Sequence, residues 1–244
     1  MKLCLAGLNS LRKDTYALLN KIPFILESFY YIKDYELPLI HSCELFLLDS
    51  GAFTFMSNSK STVNWDEYIQ RYAEFVIKND VKHFFELDID SVVGYETVKQ
   101  LRAKLEKLTG RKCIPVWHKS RGIEEFKKHV AEYDYIAIGG LVSKEITTNE
   151  YHLLKRMTAY ANAHGVKVHG LGFTVSNVEE YGFYSTDSTS WNTISRFGSL
   201  FHFDGMKIKN VAPNGKRVKK SQYGAGEIHN IEEWIKYQNY LRRF

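Results

Sequence analysis

Leu45-Phe46-Leu47-Leu48-Asp49-Ser50-Gly51 is an apolar run that stops on a carboxylate, a hydroxyl and a glycine. The same pattern recurs along the chain. Phe84-Phe85-Glu86-Leu87 runs into Asp88-Ile89-Asp90, and Ile114-Pro115-Val116-Trp117 runs into His118. Ile136-Ala137-Ile138 meets Gly139-Gly140, Val168-His169-Gly170-Leu171 meets Gly172, and Tyr184-Ser185-Thr186 meets Asp187. Short apolar runs bounded in this way read as buried strands. Parallel barrels place their chemistry at the C-terminal ends of their strands, so the residue that closes each run is a candidate site residue.

Helix-like segments lie between these runs. Residues 65–78 carry Tyr68, Ile69, Tyr72, Phe75 and Val76 at helical spacing, with Asn64 as N-cap. Residues 95–108 put Val98, Leu101 and Leu105 on one face and stop before Gly110. Further helices are expected over 123–130, 151–163 and 175–181. Strand–helix alternation implies right-handed βαβ units and a parallel sheet. The expected fold is therefore α/β, a TIM-type (β/α)8 barrel that need not be regular. An open doubly wound sheet is the alternative. Residues 22–40 follow neither period. Met1-Lys2-Leu3-Cys4-Leu5-Ala6-Gly7 reads as a first strand, because its apolar run is too short for a leader and Asn9, Arg12, Lys13 and Asp14 follow.

The chain has 244 residues, 44% of them hydrophobic and 25% charged, which suits one barrel domain over 1–244. Net charge is +5, a mild bias compatible with a polyanionic partner. Cys4, Cys43 and Cys113 lack metal-ligand spacing and read as reduced thiols of a cytoplasmic protein. No apolar run approaches the ~20 residues that span a bilayer, so no membrane partner is expected. The C-terminal part differs from the rest. Residues 206–211 and 216–220 flank Pro213-Asn214-Gly215, a hairpin-turn signal, so a basic hairpin is expected within 206–224 and a final helix within 226–244. Lys207, Lys209, Lys216, Arg217, Lys219 and Lys220 fall on or beside that hairpin, with no acidic residue among them. They form either a solvated hairpin or a phosphate clamp.

Asp49, Asp88, Asp90 and Asp187 sit at the ends of different runs. A carboxylate beside a buried strand is costly unless it is paired, so any one of them could be a cap or an ion-pair partner. Several around one mouth suit chemistry at a sugar anomeric carbon, where one group attacks and another handles the leaving group's proton. Gly139-Gly140 and Gly170-Leu171-Gly172 read either as tight turns or as backbone walls for a planar heterocycle. No glycine-rich loop matches a P-loop or dinucleotide pattern. His118 is either a pocket donor or a satisfied core histidine. The histidines show no HxH or HExxH spacing, so no metal is expected, although an acidic mouth suits a hard cation.

These motifs resemble the tRNA-guanine transglycosylases (queuine tRNA-ribosyltransferases). Leu48-Asp49-Ser50-Gly51-Ala52-Phe53 is similar to that family's Asp-Ser-Gly-Gly-Phe segment, and Ala137-Ile138-Gly139-Gly140-Leu141 to its Gly-Gly-Leu loop. His169-Gly170-Leu171-Gly172-Phe173-Thr174 resembles its Met-Gly-Val-Gly-Thr segment. Tyr184-Ser185-Thr186-Asp187-Ser188 falls where the family has its nucleophilic aspartate. The order matches over roughly residues 45–192. No cysteine follows Cys113, so the C-terminal zinc site of members acting on tRNA is absent, and the arginines after the nucleophile are unmatched. These departures point to the smaller phage-type relatives that exchange guanine in DNA for a 7-deazaguanine. The resemblance implies Asp187 as nucleophile and Asp49 as proton donor and acceptor. It implies a base held by Ser50, Phe53, Asp88 or Asp90, His118, Gly139, Gly140, Leu141 and Gly172. Trp191 and Tyr223 are then candidates, with the basic hairpin, for holding the strand. The implied partners are DNA, with tRNA as the alternative, and a 7-deazaguanine base. No cofactor is needed. A homodimer is compatible, and a phage-encoded chain would work in the host cytoplasm. A non-catalytic nucleic-acid-binding subunit of the same fold is the rival class.

Overall fold

The computed structural model describes residues 1–51, 54, 63–193, 198–211, 219 and 222–244. Its main sheet holds β1 (Lys2–Ala6), β2 (Phe24–Ser28), β3 (Leu45–Asp49), β4 (Val116–Trp117), β5 (Tyr135–Ile138), β6 (Lys167–Gly170) and β7 (Ser185–Ser188). All pair in parallel, in the order β3-β2-β1-β7-β6-β5-β4.

The two outer strands do not leave the sheet open. Phe84 bridges Leu48 of β3, and Phe85 bridges Ile114, just ahead of β4. Backbone bonds seal this seam: Phe85 N–H donates to Leu48 O at 2.9 Å, Leu48 N–H to His83 O at 3.0 Å, and Ile114 N–H to Phe84 O at 2.8 Å. The segment around Phe84 and Phe85 is thus an eighth stave, the fourth in chain order and hereafter stave four, and the ring closes in chain order. The last stave, β7, lies against the first, with Asp187 beside Cys4. The fold is a TIM-type (β/α)8 barrel.

The runs at 84–87 and 114–117 were expected as full strands, yet only β4 and isolated bridges form there. Side chains interrupt the ladder. Glu86 Oε1 accepts from Val116 N–H at 2.9 Å, and the Arg121 guanidinium donates to Val116 O. Tyr72 Oη lies 3.0 Å from Leu48 O and 3.1 Å from Phe85 O, offering one hydrogen to two carbonyls across the seam.

The period-2 alternation of the strands divides two cores. Cys4, Ala6, Phe24, Leu26, Leu45, Leu47, Phe85, Val116 and Ala137 fill the barrel interior. Leu3, Leu5, Ile25, Phe46, Leu48, Ile136 and Val168 face the helices outside.

The outer layer contains α1 (Leu39–Ser42), α2 (Trp65–Lys78), α3 (Asp90–Val93), α4 (Tyr95–Thr109), α5 (Gly122–Glu132), α6 (Tyr151–Ala163) and α7 (Tyr223–Leu241). Asn64 Oδ1 caps α2 by accepting from Glu67 N–H, and Asp66 and Glu67 in its first turn suit the helix dipole. Tyr68 of α2 donates to Ser50 O at 2.6 Å and fixes the end of β3. The connections around β2 are 3-10 turns and the short α1. The helix expected over 175–181 is only a 3-10 turn, Val178–Tyr181, closed by Gly182 at φ +70°.

The final helix covers β1. Gln238 Nε2 donates to Leu3 O at 2.7 Å and Phe24 O at 2.9 Å. An antiparallel hairpin forms ahead of the expected one. Residues 208–211 do form a strand, β9 (Ile208–Val211), but its partner is β8 (Leu200–Phe203), turning through 204–207. Asp204 Oδ1 caps the N–H groups of Met206 and Lys207, and Gly205 has φ +100°, so this earlier turn satisfies its own geometry. The Pro213-Asn214-Gly215 turn lies outside the described residues. Among those described, no helix is long and apolar enough to cross a membrane.

Candidate active site

Asp49 ends β3, and its carboxylate continues the inward row of Leu45 and Leu47. Gly51 N–H donates to its Oδ2 at 2.8 Å. Burial is the main force raising its carboxyl to about 6; that N–H bond opposes the rise, while the charges of Asp88 and Asp187 add to it. Carboxylates from three staves therefore share one electrostatic neighbourhood at the C-terminal mouth.

Asp187 lies opposite, on β7. Its Oδ1 accepts from Gly172 N–H at 2.6 Å and lies 3.2 Å from His169 Nε2. Gly172 is required here: its φ is +65°, and a Cβ would stand 2.3 Å from Val142 Cγ2. His169 is fully buried, with Nδ1 2.6 Å from Ser185 Oγ. Ser185 Oγ in turn lies 2.5 Å from Tyr135 Oη. With His169 Nε2–H donating to Asp187, Nδ1 accepts from Ser185 O–H, and Ser185 accepts from Tyr135 O–H. This thread fixes the tautomer of His169 and aims the Asp187 carboxylate.

A third cluster lies between stave four and β4. His118 Nε2 is 2.8 Å from Asp88 Oδ2, and Nδ1 is 2.9 Å from Glu145 Oε2. Burial opposes its charge, but the bond and charge of Asp88 and the bond to Glu145 outweigh it and lift the imidazole to about 9. His118 is thus an imidazolium at neutral pH. Arg121 donates Nε–H to Asp90 Oδ2 at 3.0 Å, and its NH2 donates to Asp88 Oδ1 at 3.2 Å. The NH1 group reaches Glu86 Oε1 at 2.9 Å. Asp88, Asp90 and His118 have metal-ligand proximity. However, an imidazolium and a guanidinium already neutralise both carboxylates, so the donor set does not suit a cation.

This cluster also explains two glycines. A Cβ on Gly139 would lie 2.7 Å from the His118 ring, and one on Gly140 would lie 2.7 Å from Glu145 Oε2. The pair makes room for a protein ion pair, rather than standing open as the expected flat wall. Leu141 is buried in the outer core. Ser50 is fully buried, and its hydroxyl has no partner among the described residues.

The nucleic-acid residues fare differently. Trp191 is corrected: it is fully buried, its Nε1–H donates to Ala6 O at 2.8 Å, and it presents no face to a base. Lys209 is ion-paired to Asp204 at 2.5 Å, while Lys207 and Lys219 are exposed. Phe53, Lys216, Arg217 and Lys220 lie outside the described residues. Sequence reading missed His169, Ser185, Tyr135, Glu145 and Arg121 as site residues. The strand periodicity offered one signal, since 169, 185 and 187 share the inward parity of their strands. Nothing local marks Glu145 or Arg121.

Fold and mouth together define a (β/α)8 barrel with a carboxylate-rich C-terminal opening. No protein-family model matches the chain, and no curated protein matches it. Solved structures do. A Coccidioides immitis protein assigned as a fructose-1,6-biphosphate aldolase aligns over 99% of this chain and 89% of its own, at 12% identity and TM-score 0.57. A GH113 β-1,4-mannanase aligns over 73% and 74%, at 14% identity and TM-score 0.44. The carboxyl transferase domain of Rhizobium etli pyruvate carboxylase aligns over 99% of this chain and 47% of its own, at 11% identity and TM-score 0.46. The aldolase likeness supports the barrel fold and nothing finer.

Proposed function

We propose that this chain is a pentosyltransferase that exchanges guanine in DNA for a 7-deazaguanine base of the 7-cyano or 7-amido type. The observation that carries the reading is the pairing of Asp187 and Asp49 across one mouth, in the chain order of the motifs that resemble the transglycosylases. The two carboxylates have different surroundings: Asp187 is held by Gly172 N–H and His169, and Asp49 is raised to about 6. Such a split suits one attacking and one proton-transferring group.

In this reading Asp187 attacks C1′ of the deoxyribose, and the C1′–N9 bond to guanine breaks as the carboxylate–C1′ bond forms. Neutral Asp49 gives its proton to the departing base. The 7-deazaguanine then returns a proton to Asp49 and displaces Asp187, and two inversions give net retention. Asp88, held by His118 and Arg121, accepts from the base edge, and Asp90 supports Arg121. Gly139 and Gly140 leave room for the His118–Glu145 pair that holds Asp88 in place. The target nucleotide must be unstacked to enter, at a cost of a few kcal/mol. Lys207 and Lys219 with the basic segment beyond Val211 hold the phosphates.

The test is release of labelled guanine from DNA and from tRNA, with 7-cyano-7-deazaguanine supplied, by the wild type and Asp187→Ala. Release from DNA that the variant loses is the expected result. Release from tRNA alone would move the substrate to the parent family. No release from either, with retained nucleic-acid binding, would make the chain a binding subunit.

A further inference from the structure

The opposite end of the barrel has its own chemistry. A cleft of about 400 Å³ opens at the N-terminal ends of β1, β6 and β7. Its walls include Lys2, Lys167, Phe183, Tyr184 and Arg242. Lys2 Nζ stands 4.5 Å from the centre of the Tyr184 ring and Lys167 Nζ 4.9 Å, so two ammonium groups crowd one aromatic side chain. Lys2 Nζ also donates to Tyr184 Oη at 2.5 Å. Among the described residues, neither lysine forms an ion pair with a carboxylate, and the Arg242 guanidinium on the cleft wall is paired with Glu44. The positive field extends to stave four. Burial holds the His83 imidazole below its ordinary value, and the charges of Lys167, Lys2 and Lys82 add to that.

Barrel floors ordinarily serve stability. Uncompensated like charges from three staves do the reverse, because each repels the others. An anion in the cleft would relieve that repulsion. The volume lies in the range of small-ligand pockets, and the walls offer aromatic surface beside the ammonium groups.

We propose that this floor cleft binds a phosphomonoester of nucleotide size, with Lys2 and Lys167 on the phosphate and Tyr184 and Phe183 against the apolar part. The site is independent of the base-exchange reading, and lies at the other end of the barrel from Asp187.

The test is calorimetry of the full chain with a nucleoside monophosphate, inorganic phosphate and the unphosphorylated nucleoside. The nucleotide should bind most tightly, phosphate more weakly, and the nucleoside not measurably. Lys2→Gln and Lys167→Gln should each weaken the nucleotide about tenfold, the effect of losing one charge-assisted bond. Asp187→Ala should leave that affinity unchanged. Lysine acetylation read by mass spectrometry on the wild type gives a second readout that needs no variant: nucleotide should protect Lys2 and Lys167 and leave exposed Lys107 reactive. Equal binding of nucleoside and nucleotide, unprotected lysines, or tighter binding of a single-stranded oligonucleotide would overturn the proposal.

Discussion

The two ends of this barrel carry opposite charge. At the C-terminal mouth Asp49, Asp88 and Asp187 interact, with His118 and Arg121 holding one of them. At the N-terminal floor Lys2 and Lys167 crowd Tyr184 with no carboxylate paired to them among the described residues. The mouth manages its charge: each acid has an N–H donor, an imidazole or a guanidinium. The floor leaves its charge uncompensated. The contrast teaches that charge of one sign is informative when it stays unpaired, and equally so when it is paired in a way that differs from group to group. The Tyr135–Ser185–His169–Asp187 thread climbs from floor to mouth between them.

The largest effect should come from Asp187→Ala. Guanine release is expected to fall at least about 10³-fold, with the folded state intact. A wild-type rate would break the mouth half of the contrast outright. Trp191→Ala comes next. A fully buried tryptophan should cost about 3–5 kcal/mol in a denaturant titration. Unchanged stability with weakened DNA binding would restore Trp191 to the nucleic-acid surface. His169→Phe keeps the ring and its packing against Phe85, 5.3 Å away, but cuts the thread. The exchange rate should fall about 10–100-fold, as when the support of a functional group is lost, with a shifted pH profile and partial rescue by Gln. An identical pH profile would leave His169 a packing residue.

The smallest effect is on stability between pH 6.5 and 9. Glu36 is raised to about 7, chiefly by burial, and His118 is raised to about 9. Both bind protons more tightly folded than unfolded. Their contributions are complete below the unfolded pKa and are lost as pH rises through the folded one. The melting temperature should therefore decline across that window. Burial lowers His129 to about 3, which acts the other way, but only below pH 6.5. Glu36→Gln should flatten the decline only up to about pH 7 and leave the His118 part above it, and a melting temperature that rises with pH would refute the assignment.

The positions of Asp49 and Asp187 were legible because an apolar run meeting a carboxylate is a strand end whatever the tertiary context. The helix over 65–78 was legible to the residue, since cap, dipole and apolar face agree. β2 was not, because Phe24–Ser28 sits among aromatics that serve 3-10 turns on both sides. The ionic network of Glu86, Arg102 and Arg121 was invisible for another reason. Charged residues on a sequence read as solvated, and only the fold brings Arg102 to 3.3 Å from Glu86. The β8–β9 pairing was not read from the sequence, because its turn signal, Asp204-Gly205, was overshadowed by the stronger Pro213-Asn214-Gly215, which lies outside the described residues.

The pairing of β7 with β1 has a consequence for how the chain is made. The first stave synthesised waits for the last, with some 180 residues between them, so ring closure belongs to the end of folding and carries a large loop-closure cost. Until then β1 and β6 each present a free edge able to recruit another strand. The emerging protein is an open, edge-exposed sheet, and α7, whose Gln238 bonds the carbonyls of Leu3 and Phe24, acts as the clasp that arrives last.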